Sequence, residues 1–301
     1  MSTPSTPAST TRSTTSKTPA VVPPPQPPSK PKQSMPTIHS YRASYEPLEQ
    51  DVPCIIREIL YAPKCPSEEI AKLIEVALNY HNSSMYQLSI DAYIRAQNMW
   101  IETEYVKRKK ALLHSHMEDF AEVAKSMEPE EQMHRRQEIE QQVEDELKNT
   151  TQQDYMTPKE LLFFRCAIGL VYESAGNDEL AISEFMEAKK FGGMIGSADS
   201  AVPYSCVGCV FYHVGQYMLA LKYFTKSLEL RQAVLGDNNV DTAISMINVA
   251  VCQQCLGELE GANEHYKKGV EVLISKLGHS HSRSEIASRN IKRFERSYLK
   301  Q

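Results

Sequence analysis

Seven cysteines and nine histidines carry most of the chemistry that this chain of 301 residues could perform. Four of the thiols form two C-x2-C pairs, Cys206–Cys209 and Cys252–Cys255, the spacing with which zinc ribbons bring two thiolates to one ion. Two H-x-H pairs, His114–His116 and His279–His281, invite the same metal reading. Helical context argues against both. Zinc ribbons set their cysteine pairs on tight turns, whereas these pairs lie in stretches with helical periodicity, and an i,i+2 histidine pair splays apart on a helix. No carboxylate stands at H-E-x-x-H spacing, and no G-x-S-x-G, P-loop, G-x-G-x-x-G or kinase signature occurs. A redox C-x-x-C would need a strand–helix junction, and small buried thiols are the ordinary use of free cysteine. No catalytic, metal or cofactor residue is therefore assigned, and the chain reads as a non-enzyme. A metal- or redox-dependent protein built on the two pairs is the rival from another class.

Composition narrows the field further. The chain is 41% hydrophobic and 24% charged, with 33 Lys+Arg against 38 Asp+Glu. That is ordinary for a folded protein and excludes collagen-like or wholly disordered chains. No run of 18 apolar residues exists, so no membrane-spanning helix is expected. An odd cysteine count without a secretory signal favours reduced thiols and a cytoplasmic setting. A net charge of −5 disfavours nucleic acid as a partner of the whole chain. The charge is unevenly placed, however. Residues 1–45 hold Arg12, Lys17, Lys30, Lys32 and Arg42 and none of the 38 acidic residues. Residues 1–40 contain 16 Ser/Thr and 10 Pro, too little apolar material to offset ordering entropy. Residues 1–50 therefore read as a disordered basic tail, suited to an acidic polymer such as a tubulin wall. A nucleic-acid-associated factor using this tail is the third alternative. Residues 51–66 follow as a short helix, CIIREILY, with Asp51 as its cap and Pro53 as a first-turn proline, and a linker.

The elements that must position everything else emerge as an internal repeat over residues 67–301. Tyr204, Val207, Gly208 and Phe211 are followed by the turn residue Gly215 and then by Tyr217, Ala220 and Phe224. The same order recurs as Arg165, Ile168, Gly169, Tyr172, Gly176, Ala181, Phe185 and Ala188. It recurs again as Met246, Val249, Ala250, Gly257, Leu259, Ala262 and Tyr266, and more weakly as Leu73, Val76, Ala77, Tyr80, Tyr86, Ser89, Tyr93 and Ala96. Small residues at these positions let two antiparallel helices approach, and the large ones lock between them. The pattern is similar to the tetratricopeptide repeat. Gly169, Tyr172, Ala181, Phe185, Gly208, Phe211, Ala220, Phe224, Ala250, Ala262 and Tyr266 are the expected packing residues. Gly215 and Gly257 lie 42 residues apart, as do the loop glycines Gly236 and Gly278. That period and the run SLELRQAVLGDNNVDTAISMINVA, residues 227–250, resemble the kinesin light chain subtype. The resemblance covers roughly residues 200–300 and implies an adaptor fold that binds proteins. The heptad coiled coil of that subtype is missing upstream.

The expected fold is thus all-α: a solenoid of about four helix pairs, near residues 70–100, 158–192, 201–235 and 240–276, with a capping helix over 282–299. Residues 101–157 read as a charged helical insertion whose helix from Pro129 is polar nearly all round, hence solvated or bridging. Thr157-Pro158-Lys-Glu160 reads as a capping box that restarts the array. Counting by analogy with the repeat, the concave groove is lined by Ile74, Leu78, His81, Leu170, Glu173, Cys209, Tyr212, His213, Ile247, Val251 and Gln254. None is Lys or Arg, which disfavours a clamp for a C-terminal carboxylate. The function expected is a non-catalytic scaffold or adaptor, with other proteins in the groove and a cytoskeletal or ciliary setting.

Overall fold

The computed structural model describes residues 47–48 and 65–298. The basic tail with Arg12, Lys17, Lys30, Lys32 and Arg42, the helix expected over CIIREILY and the end of the chain lie outside the described residues. Among those residues all regular structure is helical. The helices are α1 (Glu68–Asn82), α2 (Tyr86–Ala124), α3 (Pro129–Leu147), α4 (Pro158–Ser174), α5 (Asp178–Ile195), α6 (Val202–His213), α7 (Tyr217–Leu235), α8 (Val240–Leu256), α9 (Leu259–Leu277) and α10 (Ser282–Tyr298).

Local chemistry accounts for the helix starts. Ser67 caps α1 by accepting from the Ile70 N–H, and Glu68 and Glu69 in the first turn face the positive end of the helix dipole. The capping box at α4 forms: the Thr157 N–H donates to Glu160 Oε2 at 2.7 Å, and the Glu160 N–H donates to Thr157 Oγ1 at 3.3 Å. Burial pushes the Glu160 carboxyl above the ordinary carboxylate range, against the two bonds from Thr157 that favour its charge. A folded-state pKa above the unfolded one means the native state holds the proton more tightly. The contribution of Glu160 is therefore most favourable at low pH and declines as pH rises through its raised pKa. Glu160→Gln keeps the acceptor of the box but cannot ionise. It should stay within about 1 kcal/mol of the parent. Its melting temperature should gain on the parent's between pH 4 and 7; a constant difference across that range would contradict a strained carboxylate.

The pairs α1/α2, α4/α5, α6/α7 and α8/α9 pack as antiparallel hairpins, and α10 closes the last pair. At the turns into α7 and α9, Gly215 and Gly257 have φ of +80° and +82°, a conformation that costs other residues a Cβ clash. Inside the hairpins the small residues sit under aromatic rings. A Cβ on Gly208 would stand 2.6 Å from a Phe224 ring carbon, and one on Gly169 would stand 2.4 Å from Phe185. Ala181, Ala220, Ala250 and Ala262 are fully buried, as are Phe185, Phe224 and Tyr266. Tyr172 and Phe211 are half-buried, and the Phe211 ring stacks on Tyr223 at 5.5 Å. Tyr266 meets Phe294 of α10 at 5.5 Å. One apolar cluster runs from α1 to α6 and a second from α6 to α10, as expected of an array in which each repeat buries its face on its neighbours.

The insertion differs from its expectation. α2 runs unbroken for 39 residues, because no Pro or Gly interrupts Tyr86–Ala124. α3 is not polar all round. Ile139, Val143 and Leu147, four residues apart, form a buried stripe, and Phe120 of α2 is buried as well. Gln132 ties the turn by donating to the carbonyls of Ala124 and Met127. Lys109 and Glu144 pair across the two helices at 2.8 Å. The extended α2 and the returning α3 make a helical hairpin projecting from the array between its first and second helix pairs.

Candidate protein-binding groove

The first helices of successive pairs, α1, α4, α6 and α8, are stitched together near their C-terminal ends. His81 Nε2 lies 2.8 Å from Ser174 Oγ, joining α1 to α4. His213 Nδ1 lies 3.3 Å from Glu173 Oε1, joining α6 to α4. The Cys255 thiol donates to the Tyr212 hydroxyl at 4.0 Å, joining α8 to α6. Four expected groove residues, His81, Glu173, Tyr212 and His213, thus form one ladder along this face. Burial lowers the pKa of His81 and raises that of Tyr212, so both favour their neutral forms. Leu78 is half-buried, while Leu170 and Cys209 are buried.

The expected register is off by one residue on α8. Ile247 is fully buried, and its Cδ1 lies so close to Gly269 of α9 that a Cβ there would approach to 2.8 Å. Gln254, seven residues on and on the same side of the helix, accepts from the Tyr266 hydroxyl of α9 at 3.0 Å. Both therefore face the partner helix of their own repeat. Ile74 and Val251 are fully buried too, Ile74 in the same apolar cluster as Ile70 and Ala77. The side of α8 turned toward the neighbouring first helix carries Asn248 and Cys255 instead, with Ile244 one turn before.

Asn248 was not among the expected residues, and it makes the most informative contact of this face. Its Oδ1 accepts from the Leu48 N–H at 2.6 Å, and its Nδ2 donates to the Leu48 carbonyl at 3.0 Å. One amide group thus binds both main-chain groups of a residue 200 positions away. A residue presents its own N–H and C=O to the same side only when its backbone is extended. Leu48 itself is 3% exposed and belongs to the apolar cluster that holds Cys209, Tyr212, Ile244 and Val251. A signal for Asn248 does exist in the sequence: one amide within the apolar run Ile244–Cys252 needs a partner that the helix cannot supply.

With this geometry in place, comparison with known proteins adds the family. Residues 199–275 match the model of the tetratricopeptide repeat family. The chain carries tetratricopeptide repeats. Curated relatives include the Clustered mitochondria protein homologs of Culex quinquefasciatus and Aedes aegypti, each 27% identical over 90 residues. The match covers 30% of this chain and spans 6% of each relative's length. Among solved structures, the crystal structure of BtubC (BKLC) from P. vanneervenii aligns with a TM-score of 0.46 at 11% identity, covering 83% of this chain and 85% of that one.

Within the tetratricopeptide repeats the cysteine pairs lie inside helices α6 and α8. Cys206, Cys209 and Cys252 are buried and Cys255 is half-buried. A bond with Cys166 and then burial raise the pKa of Cys206, and burial raises that of Cys252, so these thiols hold their protons at neutral pH. Among the described residues no three His, Cys, Asp or Glu side chains come together as a metal site. His114 pairs with Glu118 along α2, while His116 turns to Glu146 of α3. His281 accepts from the Arg283 N–H at 3.2 Å where α10 starts. No helix among the described residues is long and apolar enough to cross a membrane.

Proposed function

We propose that this protein is a non-catalytic scaffold that holds segments of other proteins along the face formed by α1, α4, α6 and α8. Tetratricopeptide repeats are a protein-binding architecture, which gives the coarse reading its basis. The observation that carries the finer reading is the grip of Asn248 on the main chain of Leu48: this face already holds a residue from outside the repeats. The basic residues of the tail, free of acidic neighbours through residue 45, would supply a separate electrostatic anchor on an acidic polymer such as a microtubule.

Two variant sets separate the roles. Leu78→Glu with His81→Glu places charge on the half-buried end of the groove, and changing Arg12, Lys17, Lys30, Lys32 and Arg42 to Gln neutralises the tail. In quantitative affinity capture from the native cell, the groove variant should lose most of the parent's protein partners while the tail variant retains them. In co-sedimentation with polymerised tubulin the order should reverse. The parent's binding should weaken with salt, since screening acts over about 8 Å at physiological strength, and the tail variant should not bind. Partners indifferent to both sets would overturn the scaffold reading. Salt-insensitive sedimentation of the tail variant would overturn the anchor.

A further inference from the structure

We propose that the groove around Asn248 is a main-chain-reading site for an extended segment bearing a leucine-sized aliphatic residue, and that Pro47-Leu48 of this same chain is its resident occupant. Partner segments of that chemistry then bind only by displacing it. The inference rests on the scaffold reading above and specifies its ligand and its control.

The chemistry of the asparagine requires an occupant. Asn248 is 0% exposed in the folded protein and lies among Ile244, Val251 and Cys252, all buried. An amide so placed is costly unless both its acceptor and its donors are engaged. Leu48 engages both, through its N–H at 2.6 Å and its carbonyl at 3.0 Å. These bonds read backbone and not sequence, so they exclude only a residue without an N–H, that is, proline. Selectivity falls to the side chain, and Leu48 is buried in the apolar cluster with Cys209 and Tyr212 of α6. The site spans two neighbouring repeats, so it is a property of the assembled array rather than of one helix. No feature of the repeat itself demands the contact: Leu48 precedes the first helix pair and reaches a helix of the last one. A segment held across such a face competes with anything that binds there. The apparent affinity of a partner falls by the fraction of molecules in which the face is open.

The test uses the full chain and a fluorescent peptide of residues 41–52, YRASYEPLEQDV. Leu48→Asp puts a charge where a buried aliphatic group belongs and should release the resident segment. Peptide binding by anisotropy should then tighten about tenfold or more over the parent chain. Adding Asn248→Leu, which retains size but removes both bonds, should weaken it again by about tenfold or more. A peptide carrying Asp in place of its leucine should not bind. Leu48→Ala is the milder second variant and should shift affinity in the same direction, with circular dichroism melts confirming that each chain is folded. Equal binding to the parent and to both Leu48 variants would overturn resident occupancy. Binding indifferent to Asn248→Leu, or absent from every chain, would overturn the site. The probe is the protein's own segment, so failure here is distinct from failure of the scaffold reading. A peptide that binds while no cellular partner depends on the groove sinks only the latter.

Discussion

Gly208→Leu should lower the melting temperature by several degrees. The position lies inside α6, where even a Cβ would stand 2.6 Å from the fully buried Phe224 ring. Real Cβ atoms do not approach that closely, so either Phe224 leaves its rotamer or α6 and α7 separate. Overpacking of this kind costs about 1–3 kcal/mol, occasionally more. Leucine adds three carbons beyond the Cβ, which places the expectation at the upper end, roughly 3 kcal/mol. At about 2–4 °C per kcal/mol for a domain of this size, the loss is roughly 6–12 °C. Gly169→Leu should behave alike, because Phe185 stands over Gly169 at 2.4 Å from the same hypothetical atom. Ala220→Trp, at a fully buried position facing the same hairpin, should follow. The internal control is Gly193 of α5, where a Cβ meets nothing within 4 Å. Gly193→Ala should be neutral or stabilising by up to about 1 kcal/mol, since alanine is the better helix former. If Gly208→Leu and Gly193→Ala melt together, the close approach of α6 and α7 is wrong.

Arg231→Ala should be comparably severe for a different reason. Arg231 is buried on α7, and its Nη1 donates to the Asp241 carbonyl at 3.0 Å and to Ser245 Oγ at 2.9 Å. Ser245 lies 3.2 Å from Ser227, and Ser227 lies 2.8 Å from Ser205. This chain of polar groups crosses α6, α7 and α8, joining the last two helix pairs. Burial lowers the arginine's pKa, yet a guanidinium keeps its proton at any pH the fold survives. Removing it takes the charged donor from the buried Ser245 hydroxyl, at about 1–3 kcal/mol, and from the Asp241 carbonyl, and opens a void where a buried side chain stood. The expected loss is about 3 kcal/mol or more. Arg231→Lys should not restore stability, because the lysine ammonium sits one bond nearer the backbone than the Nη1 that reaches both acceptors, and it is more costly to bury. Lys226→Ala, by contrast, removes only an exposed i,i+3 pair with Glu229 and should cost less than about 0.5 kcal/mol. Calorimetric melts of the three variants decide it: an Arg231→Ala curve as close to the parent as Lys226→Ala would show that the polar chain is dispensable.

Much of the architecture was legible from residue spacing because its causes are local. Gly169 and Gly208 announce hairpin contacts through their distance from Phe185 and Phe224, since antiparallel helices joined by a short turn must bring such positions together. The α4 start was legible in Thr157-Pro158 and Glu160, whose capping bonds span three residues. The hairpin of α2 and α3 was half legible. The four-residue spacing of Ile139, Val143 and Leu147 was there to be counted, but their charged neighbours dominate a compositional reading.

The rest belongs to tertiary structure. On α8 nearly every residue from Thr242 to Cys252 is apolar or small, so periodicity could not say which side meets α9 and which meets the next repeat. A shift of one residue turns the helix by about 100°, enough to turn Ile247 and Gln254 toward α9 and Asn248 toward the face that holds Leu48. Leu48 and Asn248 share no local pattern across 200 positions. Residue spacing alone establishes that this chain builds helix pairs, that α4 starts at its capping box, and which small residues let the pairs close. Only the folded array decided which faces meet across repeats and which distant segment lies between them, because those contacts depend on the rotation and stacking of whole helices rather than on any bond between neighbours in the chain.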